Sequence, residues 1–467
     1  MILAPVLLAF AVRADEGDDG AGLFATAGST ATGEQAPAPP PPGSPLDIDL
    51  DQLATCSSVQ AAPAGGSGGG SGPQVSVAPE SVGDTAELRR LTSRVAARIE
   101  RLRGLSFERP IEAAFLGDEA LKARVSELGG EQYGPRQADL DGRILAALGA
   151  IPPDADLLDL SAATLEGQIA GLYVPASGEL LVRSSEGEPG AVEELTLAHE
   201  LEHALADQAL GLPVPDEPQP GRSDQLAAAL ALVEGDASLS MQLYSTEYLS
   251  FADQLSLLGE EGVADAEEQL AAVPDFLQRQ LLFPYTDGLS YACERAAAGG
   301  LRAVDDAYGR RPGSTWEILF PERSAAGRPV DPADPGRLAD PWRRVERTEV
   351  GAADLSWLFA APGGDRAAGL EDPEGAVLGW EGGELELWTD GADSAIGISL
   401  AARGEGLCLA VDEWYRATFP EAEPSEPEPG VVVSDGPDQD AVISCGSGTV
   451  RVGIAPGVAT ASELVKR

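Results

Sequence analysis

Histidine is almost missing from this chain: two occur in 467 residues, His199 and His203. A metal site built from three histidines is therefore excluded, and imidazole chemistry is confined to one place. Lysine is equally scarce, found only at Lys122 and Lys466, and 31 basic residues face 77 Asp and Glu, for a formal net charge of −46. Such a chain repels nucleic acid and anionic membrane surfaces, so no nucleic-acid partner is expected. The four cysteines, Cys56, Cys293, Cys408 and Cys445, show no CxxC spacing, which argues against a cysteine metal site. No internal repeat of fixed period is visible.

What is present divides the chain. Hydrophobic residues make up 43% of it, enough for real cores, and the length calls for two or more domains. Residues 1–13, MILAPVLLAFAVR, are too short an apolar run for a confident membrane span but have the size of a signal-peptide core. The chain is thus expected to be secreted or attached to the cell surface, touching a membrane only through this segment if it stays uncleaved. In an exported protein, Cys408 and Cys445 are the expected disulfide pair. Residues 14–80 contain GEQAPAPPPPGSP and PAGGSGGGSGP with few large apolar side chains, and read as a flexible linker. A main domain is expected over 81–340 and a smaller α/β accessory domain over 341–467. The fold class is α+β, with the main domain mostly helical.

Within the main domain, DTAELRRLTSRVAARIERLRGL has helical periodicity, with Asp84 as N-cap and Gly104 as stop. RPIEAAFLG reads as a strand, ALKARVSELGG and DLDGRILAALGAI as helices, and GLYVPASGELLVRS as a hairpin around Pro-Ala-Ser-Gly. The next segment, PGAVEELTLAHELEHALADQALGL, is a helix bounded by Pro-Gly and by Gly211, and a second helix follows over 223–248. In the accessory region GWEGGELELWTDG, SAIGISLAAR, GVVVSDG, AVISCGS and TVRVGIAP read as strands and LAVDEWYRATF as a helix. Trp380, Trp388 and Trp414 are expected in its core.

Both histidines fall in LAHELEHALADQ, four apart, with Glu200 directly after the first. On a helix they share a face, so both imidazoles reach one metal ion while Glu200 sits beside it. A bare HExxH also arises by chance, but two histidines scattered at random would seldom land in this pattern. The third ligand must then be a carboxylate or a cysteine. Between Gln225 and Thr246 the second helix is apolar almost all round, and its charges are Glu234 and Asp236. An unpaired carboxylate on a buried helix is costly, so Glu234 is the favoured third ligand. Gly235 beside it suits close helix approach. Asp207, one turn after His203, and Asp236 are each candidates to accept an imidazole N–H or to meet an arginine instead.

HELEHALAD is similar to the HELTHAVTD run of thermolysin-like enzymes, the gluzincin clan of zinc metallopeptidases. The longer succession AGLYVPASGELLVR, LAHELEHALADQ, ALVEGDAS and FPYTDGLSYACERAAAGGLRAVDDAYGRRPGSTWEILFPER resembles a group of poorly characterised secreted bacterial metallopeptidases, over roughly residues 85–325. The resemblance implies a zincin-like domain and one Zn2+ on His199, His203 and Glu234. Glu200 would be the general base for hydrolysis of a peptide or protein substrate. It also implies that the strand before the active-site helix, Glu179, Leu180, Leu181, Val182 and Arg183, pairs with extended substrate. An oxyanion needs a donor besides zinc; Tyr285 is favoured over Tyr291, Arg295 or a backbone N–H. The departures are Phe320, where that group often carries histidine, and a spacing to Glu234 unlike thermolysin's. The alternatives are a zinc-stabilised but catalytically silent surface binding protein, and a metal-free protein with a chance motif.

Overall fold

A computed structural model describes residues 73–130, 134–160, 169–184, 189–214, 222–257, 272–326 and 329–466. The apolar segment 1–13 and most of the expected linker lie outside those residues. The end of that linker is structured, however: Val75–Val77 forms strand β1, hydrogen-bonded in parallel to β2 (Ile111–Leu116). Three residues suffice because Val77 drops into the core beside Ile111.

Between these strands lies helix α1 (Thr85–Arg103). Asp84 caps it by accepting from the N–H groups of Ala86 and Glu87, and Gly104 ends it at φ 71°, a conformation that costs glycine little. Leu88, Leu91, Val95, Ile99 and Leu102 form its buried stripe. Helices α2 (Asp118–Gly130) and α3 (Pro135–Ala147) follow, then the hairpin β3 (Gly171–Val174) and β4 (Glu179–Arg183). The first sheet has the order β1-β2-β4-β3, with β2 and β4 parallel and β3 antiparallel to β4. Period-two alternation divides its side chains between two cores. Ile111, Ala113, Phe115, Leu180 and Val182 pack under α1, whereas Ala114, Leu116 and Leu181 join the larger core on the other face.

Helix α4 (Ala191–Ala209) lies against β3, β4 and α1, and α5 (Ser223–Tyr248) packs beside it. α5 is long and apolar enough to cross a bilayer, yet 67% of its most apolar window is buried inside the fold, as in a core helix. After α6 (Phe251–Leu257) comes α7 (Asp275–Gly299), the main partner of α5. The expected close approach at Gly235 is to α7: a methyl there would overlap the carbonyl of Gly288, and one on Gly288 would overlap that of Ala231. α8 (Leu301–Gly309) and α9 (Thr315–Leu319) complete this part.

The remaining strands form one antiparallel sheet, ordered β5-β6-β7-β11-β10-β9-β8: β5 (Arg343–Glu349), β6 (Trp380–Thr389), β7 (Ser394–Ala402), β8 (Glu423–Glu428), β9 (Val431–Asp435), β10 (Asp440–Gly446) and β11 (Thr449–Ala455). The longer helices that accompany it are α10 (Ala352–Ala360), α11 (Gly406–Thr418) and α12 (Val458–Leu464). Cys408 of α11 and Cys445 of β10 form the expected disulfide, their Cα atoms 6.0 Å apart. Trp380, Trp388 and Trp414 are buried, as expected.

The expected α/β character of this region needs correction. Its sheet is wholly antiparallel, so it too is α+β. Its core also continues into the first part: Trp357 of α10 meets Phe276 and Phe283 of α7 edge-on, with ring centroids 5.5 and 5.4 Å apart.

Candidate metal centre

α4 starts at Gly190, whose N–H is bonded by the Glu193 carboxylate at 2.9 Å, and its apolar residues clamp it against sheet and helices. The turn that remains open carries His199, Glu200 and His203. Nε2 of His199 lies 3.1 Å from Nε2 of His203 and 3.1 Å from Oε2 of Glu234 on α5; Nε2 of His203 is 3.3 Å from the same oxygen. A tetrahedral ion with N and O ligands at roughly 2.1 Å keeps its donors roughly 3.4 Å apart, so these three atoms form one face of such a site with a small expansion. The convergence of two imidazole nitrogens and a carboxylate oxygen favours a cation among them. The three residues therefore fit a metal ion, and among the described residues they are the group of His, Cys, Asp and Glu so arranged.

Burial alone would raise the pKa of Glu234, but His203 and His199 outweigh it and hold the carboxyl well below the usual range. Glu200 behaves oppositely. Its pKa is pushed up to about 7, by burial first and by the neighbouring Glu234 charge, against the opposing influence of His199 and the Tyr173 N–H. Two carboxylates in one cluster are thus separated into a permanent anion and a group that exchanges a proton near neutrality.

The cluster opens into a cavity of about 510 Å³, lined by apolar residues such as Ile169, Leu172, Leu212, Met241, Leu281 and Leu289. Tyr285 lines it too, its ring centroid 6.3 Å from that of His199. Burial, then Glu234 and Glu200, raise the Tyr285 pKa well above that of an ordinary phenol, so it remains a hydrogen donor. Tyr291 and Arg295 stand apart from the cavity, with the Arg295 guanidinium 5.0 Å over the Tyr291 ring. Phe320 is also absent from the lining. It is buried against Trp316, at 5.4 Å between centroids, so this departure from the similar group belongs to the core.

Three expectations are corrected. Asp207 does not accept from an imidazole; its Oδ2 receives the Tyr173 hydroxyl at 2.8 Å and Arg109 at 2.6 Å. Asp236 likewise meets Arg103 at 3.1 Å and the Tyr308 hydroxyl at 3.0 Å. In both cases the arginine alternative holds, each carboxylate being taken up by an arginine and a tyrosine hydroxyl. The third correction concerns the substrate strand. β4, Glu179 to Arg183, is paired on both sides, to β2 and to β3, and has no edge to offer a peptide. β3 is the edge strand, no strand flanks it outside among the described residues, and it lines the cavity.

Two features escaped the sequence reading. Arg103, with no side-chain exposure, is ion-paired with Glu202, Asp236 and Asp305, joining α1, α4, α5 and α8 behind the cluster. A lone arginine at the end of an amphipathic helix carries no signal of this. Gly171 is the other: a methyl there would lie 2.8 Å from Cγ and 2.9 Å from Oε1 of Glu200. Its position in a β-strand, where glycine is disfavoured, was an available clue.

Compared with protein-family models, with curated proteins and with solved structures, the chain matches none.

Proposed function

We propose that this chain is a zinc-dependent peptidase of the gluzincin type, with His199, His203 and Glu234 as ligands and Glu200 as general base. One observation carries the reading: three donor atoms spaced for a metal face the same cavity as a carboxyl whose pKa is raised to about 7. Bound zinc supplies Lewis acidity towards water and a peptide carbonyl. Glu200 accepts a proton from the attacking water and passes it to the leaving amine, a role suited to a group titrating near the working pH. Tyr285 donates to the oxygen on which charge develops. The outer edge of β3 receives an extended peptide by main-chain hydrogen bonds, and the apolar lining takes its side chains. The zincin-like unit ends near residue 340, and the antiparallel sheet beyond serves as an accessory unit built onto it. The Cys408–Cys445 disulfide supports a site of action outside the cytoplasm.

The test is zinc content together with casein and gelatin hydrolysis, for the unaltered protein and for Glu200→Gln. Stoichiometric zinc in both and hydrolysis lost in the variant are expected. Zinc with no hydrolysis by either form on a broad peptide panel would leave a metal-clamped binding protein, and absence of stoichiometric zinc would remove the metal reading altogether.

A further inference from the structure

The C-terminal end of α4 is fastened to β3 by a contact that the hydrolytic reading leaves unused. Tyr173 of β3, 4% exposed, donates its hydroxyl to Asp207 Oδ2 at 2.8 Å, and Arg109 donates to the same oxygen at 2.6 Å. Gln208, the next residue of α4, accepts from the backbone N–H groups of Glu108 and Arg109 at 2.9 and 2.8 Å. The loop that presents Arg109 is therefore itself anchored to the helix. Asp207 follows Glu200 by seven residues and His203 by four, which places all three on one side of α4. At the other end of β3, Gly171 lies against the Glu200 side chain.

β3 needs such fastening. It has four residues and pairs with a single strand, β4. Segments of this kind open at low free-energy cost unless side chains hold them. The Tyr173 hydroxyl donates to a mostly shielded carboxylate, a charge-assisted contact of the stronger kind, and Arg109, whose side chain is 56% exposed, adds a weaker, solvent-screened one.

We infer that Tyr173, through Asp207 and Arg109, is a positioning residue that holds the cleft strand β3 at a fixed separation from α4 and so sets the register in which an extended peptide meets the metal-ligand cluster. The peptide part rests on the peptidase reading; the ordering of β3 does not. The distinction matters because Asp207 is then a ruler for the cleft and not a support for a ligand imidazole.

The experiment uses the full chain with Tyr173→Phe, Asp207→Asn and the double variant. Amide hydrogen exchange is measured at Leu172–Val174, and zinc-loaded protein is titrated with an acetyl-tetrapeptide hydroxamate and with acetohydroxamate. Exchange at β3 is expected to quicken roughly ten- to a hundredfold, the effect of losing one charge-assisted hydrogen bond, while amides of α4 and zinc content stay as in the unaltered protein. The peptide hydroxamate should weaken about tenfold or more and acetohydroxamate should not change, with the double variant no worse than the single ones. Unchanged exchange at β3 in Tyr173→Phe overturns the inference whatever the activity. Equal weakening of both hydroxamates overturns it too, since the residue would then act on the ligand cluster. If the unaltered protein binds no zinc, the peptidase reading fails, and exchange at β3 still decides the tether.

Discussion

Gly171→Ala probes the proposed general base, Glu200, separately from the proposed metal ligands. The added methyl would sit 2.8 Å from Cγ of Glu200 and 2.7 Å from Cγ2 of Thr196, both on α4. Nonbonded carbons meet at about 3.5 Å, so Glu200 or β3 must shift by roughly 0.7 Å. Glu200 is 6% exposed and cannot swing away freely. Misplacing a reacting group by about 1 Å costs on the order of a hundredfold in rate, so a fall in kcat of roughly ten- to a hundredfold is expected. Overpacking should also lower stability by about 1–3 kcal/mol. The three atoms nearest the methyl belong to Thr196 and Glu200 and none to His199, His203 or Glu234, so zinc stoichiometry should be unchanged. Steady-state kinetics on a quenched-fluorescence peptide, zinc analysis and a thermal melt supply the readouts. Zinc-loaded Gly171→Ala with kcat within threefold of the unaltered protein would refute the argument that β3 fixes Glu200.

Glu234→Gln keeps the shape of the proposed third ligand and removes its charge; zinc affinity, measured by competition with a chelator, should fall by more than the roughly 10–100-fold typical of losing an outer-shell partner. Arg103→Met leaves the carboxylates of Glu202, Asp236 and Asp305 without their buried cation, and chemical denaturation should show a loss of about 3–5 kcal/mol, far above the effect of a surface charge. Asp224, buried beside Glu349 and Asp354, has its pKa pushed up to about 8, by burial first, although the Thr315 hydroxyl and N–H donate to it. The folded state therefore retains a proton that the unfolded chain releases near pH 4, and this group's contribution to stability declines from about pH 4 until it levels off above about pH 8. In Asp224→Asn the melting temperature should fall less over that range; an identical pH profile would count against a protonated Asp224.

Much of the centre was legible locally. Period 3.6 puts residues four apart on one face, so the pairing of His199 with His203 and the place of Glu200 needed no tertiary information. Glu234 stood out because a charge on an otherwise apolar helix demands a partner, and its carboxylate does meet both imidazoles. Strands β6, β7, β9, β10 and β11 were visible as alternating or apolar runs. β5 and β8 were not, because RRVERTE and EPSEPE are edge strands whose charge and proline deter further pairing and carry no apolar alternation.

The sequence by itself determined the helix that presents two imidazoles, the hairpin before it, the carboxylate that completes the triangle and the Cys408–Cys445 pair. Only the tertiary structure decided which hairpin strand faces the cleft. β4 lies inside the sheet because β2, some sixty residues upstream, pairs with it in parallel, and that leaves β3 at the edge. It also sent Asp207 to Tyr173 and Arg109, and Asp236 to Arg103. Periodicity is a property of consecutive residues and can be read from them, whereas an edge or a salt-bridge partner is set by whichever distant segment arrives to pair.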